Sequence, residues 1–344
     1  MLRRRRLNSV RVMSRISYLG SFPPPYGGVT VKNALLFEEI SSLTRVRKVD
    51  LSVVKQRNPV EASRFVREML APSGALVVGT SDSWRRRITG ILARANRKKM
   101  SRSIVFVMGG ARLEDACYAR ELSNYKAIFV ETIGLRSNYE SMGLENVRLF
   151  PNCRKRPASH VVPSVRPGRL SCVYFSLISE EKGAVLVLEL ARKLPNVDFH
   201  FYGRVDPALS GSFMEACQKL SNVRYHGVFD SVVGDAVTEL SQYDVHLFPS
   251  EYPNEGVPGV LVETKMAGVP TVASDRCYNG EIVRNGEDGF VLENVDAGTF
   301  AAVVSRFDSD RNLLLEMKRA ALASADQFYV DRYIGGIVAA LAPD

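Results

Sequence analysis

The sequence contains no Cys-x-x-Cys pair. Its five cysteines, Cys117, Cys153, Cys172, Cys217 and Cys277, are scattered at irregular spacing, which argues against a disulfide framework and against a cysteine zinc site, and fits a reducing compartment. No apolar run reaches the roughly 18 to 20 residues needed to cross a bilayer. The start, MLRRRRLNSVRVMSR, is basic like the head of a signal peptide, but the ISYLGSFPPPYGG that follows is broken by polar residues and prolines. A cytoplasmic location is expected. Repeats and low-complexity blocks are also missing, and none of the four histidines (His160, His200, His226, His246) precedes residue 160. No cluster of His, Asp and Glu suggests a metal site, and no bound metal is expected.

What is present is ordinary globular composition, with 46% hydrophobic and 24% charged residues, enough for full cores and unlike disordered, collagenous or coiled-coil chains. The 344 residues are about twice a usual domain of roughly 150 residues, so two domains are expected. The net charge of +9 hides a division: residues 1 to 165 carry 30 Lys and Arg against 12 Asp and Glu, and the remainder 16 against 25. Such polarity gives a preferred face for anionic partners, whether nucleic acid, an anionic membrane or a phosphorylated substrate. Nucleic acid fits least, because the basic segments lack a recognised binding module and interleaved aromatics.

Short β-branched and aromatic runs alternate with helical patterns, the signature of parallel βα architecture. The first half offers strands at 15–19, 48–54, 75–78, 104–108, 127–131 and 147–150, and the second at 172–176, 197–202, 223–226, 245–249 and 271–274. Between them PNCRKRPASHVVPSVRPGR is rich in proline and basic residues and has no periodicity, so it reads as a connection. The expected organisation is α/β: a Rossmann-like doubly wound domain over 1–160, a second over 161–325, and a final helix in 326–344. Ligands of such sheets bind beyond the carboxyl ends of the strands.

The most informative stretch is LFPSEYPNEGVPGVLVETKMAGVPTVASD, residues 247–275. A strand ends in a loop with Glu255, Gly256, Pro258 and Gly259, and a helix carrying Glu263 follows. The glycines let backbone amides approach an anion at the start of a helix. A helix starting near Gly256 would put Glu255 just before it and Glu263 about two turns in, on nearly the same face. Paired carboxylates beside a phosphate site suit the hydroxyls of a sugar or ribose, which points to a nucleotide sugar. On spacing alone, an N-terminal helix charge and a solvated glutamate remain the alternative.

The run P-S-x(4)-E-G-x-P-x(4)-E-x(3)-A-G-x-P-x-V-A-S closely resembles the E-x7-E segment of retaining glycosyltransferases of family 4, which have the GT-B fold of two Rossmann-like domains facing a central cleft. The resemblance extends over Gly27 and Gly28 after the first strand, Pro151 and Asn152 near the end of the first domain, Lys182 and Gly183 in the second, and the final helix, which in GT-B proteins crosses back to the first domain. It is nearest to bacterial surface-polysaccharide assembly enzymes.

The resemblance implies that Glu263 binds the ribose hydroxyls, that Glu255 lies beside the donor sugar, and that the backbone of Gly256, Val257, Pro258, Gly259 and Val260 lines the diphosphate. Lys182 would neutralise the leaving diphosphate, a contact that strengthens as the glycosidic bond breaks. The chain departs from the family in two places. Leu177 stands where relatives carry an arginine, a loss for which Arg204 is the candidate substitute and an exposed loop charge the alternative. The strand end VFVMGGAR has Gly109 and Gly110 where many relatives carry a histidine. In a front-face displacement the leaving phosphate oxygen can take the acceptor proton, so a dedicated base is not required.

The resemblance implies a UDP- or GDP-sugar donor as substrate, no separate cofactor, and a glycan acceptor linked to polyprenyl diphosphate. The alternative is a catalytically silent GT-B subunit that binds a partner or a membrane. Epimerisation of a nucleotide sugar would need acid and base residues that the histidine-free first domain does not offer. In PPPYGGVTVKN, Gly27 and Gly28 permit close approach of a ligand and Thr30 is the expected helix cap. Asn152 and Arg154 stay open between facing the ligand site and serving a hinge. SWRRRITGILARANRKKM places Trp84, Ile88, Ile91, Leu92 and Ala95 at helical spacing among seven cations, Arg85, Arg86, Arg87, Arg94, Arg97, Lys98 and Lys99. With the Arg3 to Arg6 run, this predicts peripheral binding to the anionic inner face of the plasma membrane.

Overall fold

The computed structural model describes residues 15–24, 27–110, 112–157, 161–230, 234–253 and 255–342. The Arg3 to Arg6 run and His160 lie outside these described residues. The chain divides into two compact units, one running to Phe150 and resuming at Asp331, the other spanning Pro151–Val330.

The first unit contains β1 (Ile16–Gly20), β2 (Val46–Asp50), β3 (Ala75–Thr80), β4 (Ile104–Val107), β5 (Ala127–Val130) and β6 (Val147–Leu149). They form one parallel sheet in the order β2-β1-β3-β4-β5-β6. Every residue of β1, β3, β4 and β5 is buried, as expected of strands covered by helices on both faces. Phe106 and Phe129 stack at 4.9 Å between ring centres, and Phe150 meets both edge-on. Chain-terminal residues return to this unit: the helix Ile334–Leu341 packs against the helix Gly28–Leu43, and Tyr333 meets Phe150 edge-on.

The second unit contains β7 (Ser171–Phe175), β8 (Asp198–Tyr202), β9 (Val223–Tyr225), β10 (Val245–Phe248), β11 (Thr271–Ser274) and β12 (Gly289–Leu292), all parallel, in the order β12-β11-β10-β7-β8-β9. Successive residues of β7 alternate between two cores: Cys172 and Tyr174 join Phe201, Phe213, Val304 and Phe307 on one face, while Val173 joins Phe248, Leu261 and Met266 on the other. The order reverses direction between β7 and β10, which makes their carboxyl ends the topological switch point of the sheet.

Three local readings need correction. The run 48–54 is not all strand: Asp50 ends β2, and its carboxylate accepts the Ser52 amide at 2.9 Å to cap a helix over Leu51–Lys55. The sequence does not signal β12, because its run GFVL opens on glycine, a poor strand former, and Gly289 is needed where its backbone abuts Thr271. The basic segment is not one helix. It breaks at Asn96 between Asp82–Ala95 and Arg97–Met100, and two of its seven cations point into the protein. Arg85 is buried against the Tyr118 hydroxyl and Asp82. Lys99 is buried, with its ammonium donating to the Glu68 carbonyl. Among the described residues, no helix is long and apolar enough to cross a membrane.

The helix Gly259–Met266 is seated through Leu261, Val262 and Met266, all fully buried, and through a buried ion pair. Lys265 donates to Asp288 at 2.6 Å and to Ser324 at 2.9 Å, and Arg284 donates to the same Asp288 carboxylate from its side chain and backbone. Burial raises the Asp288 pKa, but Lys265 and the hydrogen bonds more than offset this and hold it below the ordinary aspartate value. Asp288→Ala strands the Lys265 charge, and a loss of about 3 to 5 kcal/mol in chemical denaturation at pH 7 is expected. Because the folded pKa is depressed, this contribution is fully present above the unfolded value of about 4 and fades as pH falls through the lower folded value. A wild-type advantage that disappeared on raising the pH would contradict the assignment.

Candidate functional site

The loop after β7 carries Lys182 and the loop after β10 carries Glu255, so the switch point brings together two residues far apart in sequence. The Lys182 ammonium pairs with the Glu255 carboxylate, each side chain mostly buried, and lies 4.4 Å from the centre of the Tyr252 ring. Ser250 donates to the same Glu255 oxygen at 3.2 Å. From below, the buried Tyr174 hydroxyl donates toward the carbonyls of Leu177 and Lys182, at 2.7 and 3.1 Å.

Gly183 makes this approach possible. It has φ of 77°, and a Cβ there would lie 2.4 Å from the Pro249 carbonyl oxygen, so both the backbone conformation and the close packing of the two loops require glycine. The Glu251 amide donates to the Glu181 carbonyl at 2.9 Å and closes the loops on each other.

The helix does not begin near Gly256. It runs over Gly259–Met266 with Pro258 extended at its cap, and Val257 just before it packs into the core. Glu255 therefore sits in the loop and Glu263 little more than one turn into the helix, and the expected shared helix face is not formed. Each carboxylate has its own cation instead. The Arg154 Nε donates to Glu263 Oε1 at 2.8 Å, its Nη1 donates to Asn152 Oδ1 at 2.9 Å, and Asn152 Nδ2 donates to the Val257 carbonyl at 2.7 Å. The amides of Gly259 and Val260 belong to the first helical turn, whose N–H groups lack an intrahelical acceptor. Beside Glu263 opens a cavity of 470 Å³ lined by Arg154, Arg156, Asp235, Thr238, Glu263 and Met266 among others.

The remaining candidates fall elsewhere. Arg204 is exposed in the loop after β8, its carbonyl accepting the Ile178 amide, and its side chain joins neither ion pair. Gly27 and Gly28 belong to the first unit. Gly27 is extended at the start of the helix Gly28–Leu43, and Thr30 is not the cap residue but the third helical residue, its hydroxyl accepting the Gly27 amide at 3.0 Å. His246 is buried in β10 beside the Thr271 hydroxyl, and burial lowers its pKa to about 3. His200 and His226 stack on one another with ring nitrogens 2.9 Å apart. Sequence reasoning left Arg154 undecided. Its signal, a basic residue two places after a Pro-Asn step, has no meaning until the fold sets it against Glu263.

Residues 159–323 match the family model of glycosyl transferases group 1. The match lies within the second unit. Over 94 residues, 27% of this chain, the sequence is 34% identical to an exopolysaccharide phosphotransferase of Streptomyces coelicolor. The match spans about a tenth of that relative's length. Among solved structures, the Anabaena protein HepE in complex with UDP superposes with a TM-score of 0.72 at 15% identity, covering 95% of this chain and 99% of that one. The lipopolysaccharide outer core galactosyltransferase WaaB superposes at 0.65 with 14% identity, covering 95% and 99%. The pneumococcal O-GlcNAc transferase GtfA, with UDP and GlcNAc, gives 0.64 at 16% identity over 82% of this chain and 59% of that one. The chain has the GT-B fold, two Rossmann-like units of six strands each.

Gly183→Ala tests the local construction. The strained conformation and the clash with Pro249 are expected to cost about 2 kcal/mol or more, seen as a melting temperature lower by roughly 4 °C or more. An unchanged melting temperature would show that the loop after β7 does not press on Pro249.

Proposed function

We propose that the chain transfers a sugar from a UDP- or GDP-sugar to a glycan acceptor with retention of anomeric configuration, as a family 4 enzyme using the E-x7-E segment. The observation that carries the reading is the meeting of Lys182, Glu255 and the Glu263 helix at the β7/β10 switch point, inside the region matching glycosyl transferases group 1. The UDP held by HepE and GtfA supports a nucleotide donor.

In this reading the ribose hydroxyls donate to Glu263, and the diphosphate lies along Gly256, Val257, Pro258, Gly259 and Val260, accepting hydrogen bonds from the amides at the helix start. The diphosphate also takes Lys182 as its cation. A phosphate oxygen displaces Glu255 as the partner of Lys182, and the carboxylate released is then placed to accept from a sugar hydroxyl or to oppose positive charge growing at the anomeric carbon. The acceptor hydroxyl forms the new bond to that carbon, on the side the donor phosphate leaves, as the carbon–phosphate-oxygen bond breaks, and its proton passes to the leaving phosphate oxygen. Gly27 and Gly28 enter as further donor contacts on the strength of the resemblance alone, and Arg204 as the substitute for the arginine that relatives carry where this chain has Leu177.

The acceptor is proposed to be linked to polyprenyl diphosphate at the inner face of the plasma membrane, with the protein peripheral and no metal required. After subtraction of Arg85 and Lys99, the basic segment still exposes Arg87, Arg94, Arg97 and Lys98, and Ile91 is 41% exposed beside them.

A panel of UDP- and GDP-sugars, scored by release of nucleotide with and without lipid extract, tests the activity. One donor is expected to turn over in the presence of lipid extract, with the anomeric configuration of the donor kept in the product. Glu263→Ala is expected to abolish donor turnover with the fold intact, and Lys182→Ala to reduce kcat about 10²- to 10³-fold, the scale for removing one stabiliser of developing charge. Full activity in Glu263→Ala would refute the assignment, and no binding of any donor would favour a silent subunit.

Membrane attachment has its own measure. Sedimentation of the full chain with vesicles containing phosphatidylglycerol should fall steeply as salt is raised and be weak with neutral vesicles. Binding indifferent to vesicle charge would remove the membrane from the proposal.

A further inference from the structure

We infer that Arg154 is the positioning residue for Glu263: it fixes one carboxylate oxygen so that the other is presented to the ribose hydroxyls. The inference rests on the donor-binding reading above and adds to it the residue that makes Glu263 selective.

Arg154 spends its fork on structure. Nε goes to Glu263 Oε1 at 2.8 Å, and Nη1 goes to Asn152 Oδ1 at 2.9 Å and the Cys153 carbonyl at 3.1 Å. Its backbone is held on both sides, the amide donating to the Phe328 carbonyl and the carbonyl accepting the Val330 amide. The guanidinium lies across Gly259, where a Cβ would be 2.0 Å from Nη2, so glycine at that position is what admits the arginine. Asn152, itself 5% exposed, ties the same assembly to the Val257 carbonyl at 2.7 Å. The Asn152–Arg154 segment is therefore braced against both the loop expected to line the diphosphate and the helix carrying Glu263.

Two consequences follow from the chemistry. A glutamate has three side-chain torsions, and one free in solvent would pay rotamer entropy on meeting a diol; pinned through Oε1, it loses that freedom beforehand. Glu263 Oε2 has no hydrogen-bond partner among the described residues, and it remains as the acceptor for a hydroxyl. The arginine charge also cancels the repulsion that a bare carboxylate would exert on a nearby diphosphate. Lysine at 154 could supply the charge but not the planar fork that spans Asn152 and Glu263.

The test compares UDP and GDP with their 2′,3′-dideoxy analogues by calorimetry, in the wild type, Arg154→Gln and Arg154→Lys. The wild type is expected to prefer the ribonucleotide at least about ten-fold, the worth of a charge-assisted hydrogen bond. In Arg154→Gln that ratio should collapse toward unity, with Arg154→Lys in between. In turnover, Arg154→Gln should raise the donor KM about ten-fold or more with kcat changed only a few-fold, the mark of lost uniform binding. A general structural defect would weaken both nucleotides equally and leave the ratio intact, which would overturn the inference. If Arg154→Gln does not fold, the ratio in Arg154→Lys decides: a ratio equal to that of the wild type overturns the inference. If the wild type binds neither UDP nor GDP, the donor reading fails and the inference with it. If the wild type binds and discriminates and the variants discriminate equally, only the role of Arg154 is lost.

Discussion

The second unit depends on one close approach, that of the chain leaving β7 to the chain leaving β10. Parallel strands adjacent in space but separated in sequence leave a crevice where the sheet order reverses, and here it is narrowed until Gly183 lies against the Pro249 carbonyl. From that packing come the Lys182–Glu255 pair, the tie from Glu251 to Glu181, and the Tyr174 hydroxyl supporting the loop from beneath. A side chain at 183 would separate the loops and with them the charges.

Electrostatic balance is the second constraint. Two carboxylates placed where a diphosphate is proposed to bind would oppose it, and each has been given a cation: Lys182 for Glu255, Arg154 for Glu263. The two pairs differ in kind. The lysine is a single flexible charge that can change partner, whereas the arginine is braced through Asn152 and its own backbone. The proposed chemistry uses that difference, with the mobile cation at the leaving group and the fixed one behind the ribose acceptor.

The charge division along the chain takes a different meaning once side chains are placed. Some of the basic excess of the first half is structural: Arg85 and Lys99 are buried among hydrogen-bond acceptors, and Arg15 and Arg47 converge on the buried Glu68. Periodicity could mark the apolar stripe of the basic segment but not which cations turn inward, because long side chains reach partners on other elements. What remains outside is a smaller basic surface around Arg87, Arg94, Arg97 and Lys98.

Much of the architecture was readable in advance. Eleven strand positions followed from short β-branched and aromatic runs, most plainly in β1, β3, β4 and β5, whose every residue is buried, and the motif from Pro249 to Ser274 marked a loop and helix beyond the carboxyl end of a strand, where ligands of open α/β sheets bind. The sequence could not show where the helix starts, because Gly256 and Gly259 serve equally well in a turn or a first helical turn. Nor could it show that Asp50 stops a strand that continued apolar residues would have prolonged. Local pattern therefore determined the alternation of strands and helices and singled out Glu255 and Glu263, while Lys182 became a candidate only through the family resemblance. The tertiary structure decided their partners, because Lys182 meets Glu255 and Arg154 meets Glu263 only when the sheet order brings distant loops together, and no spacing along the chain encodes a contact made across it.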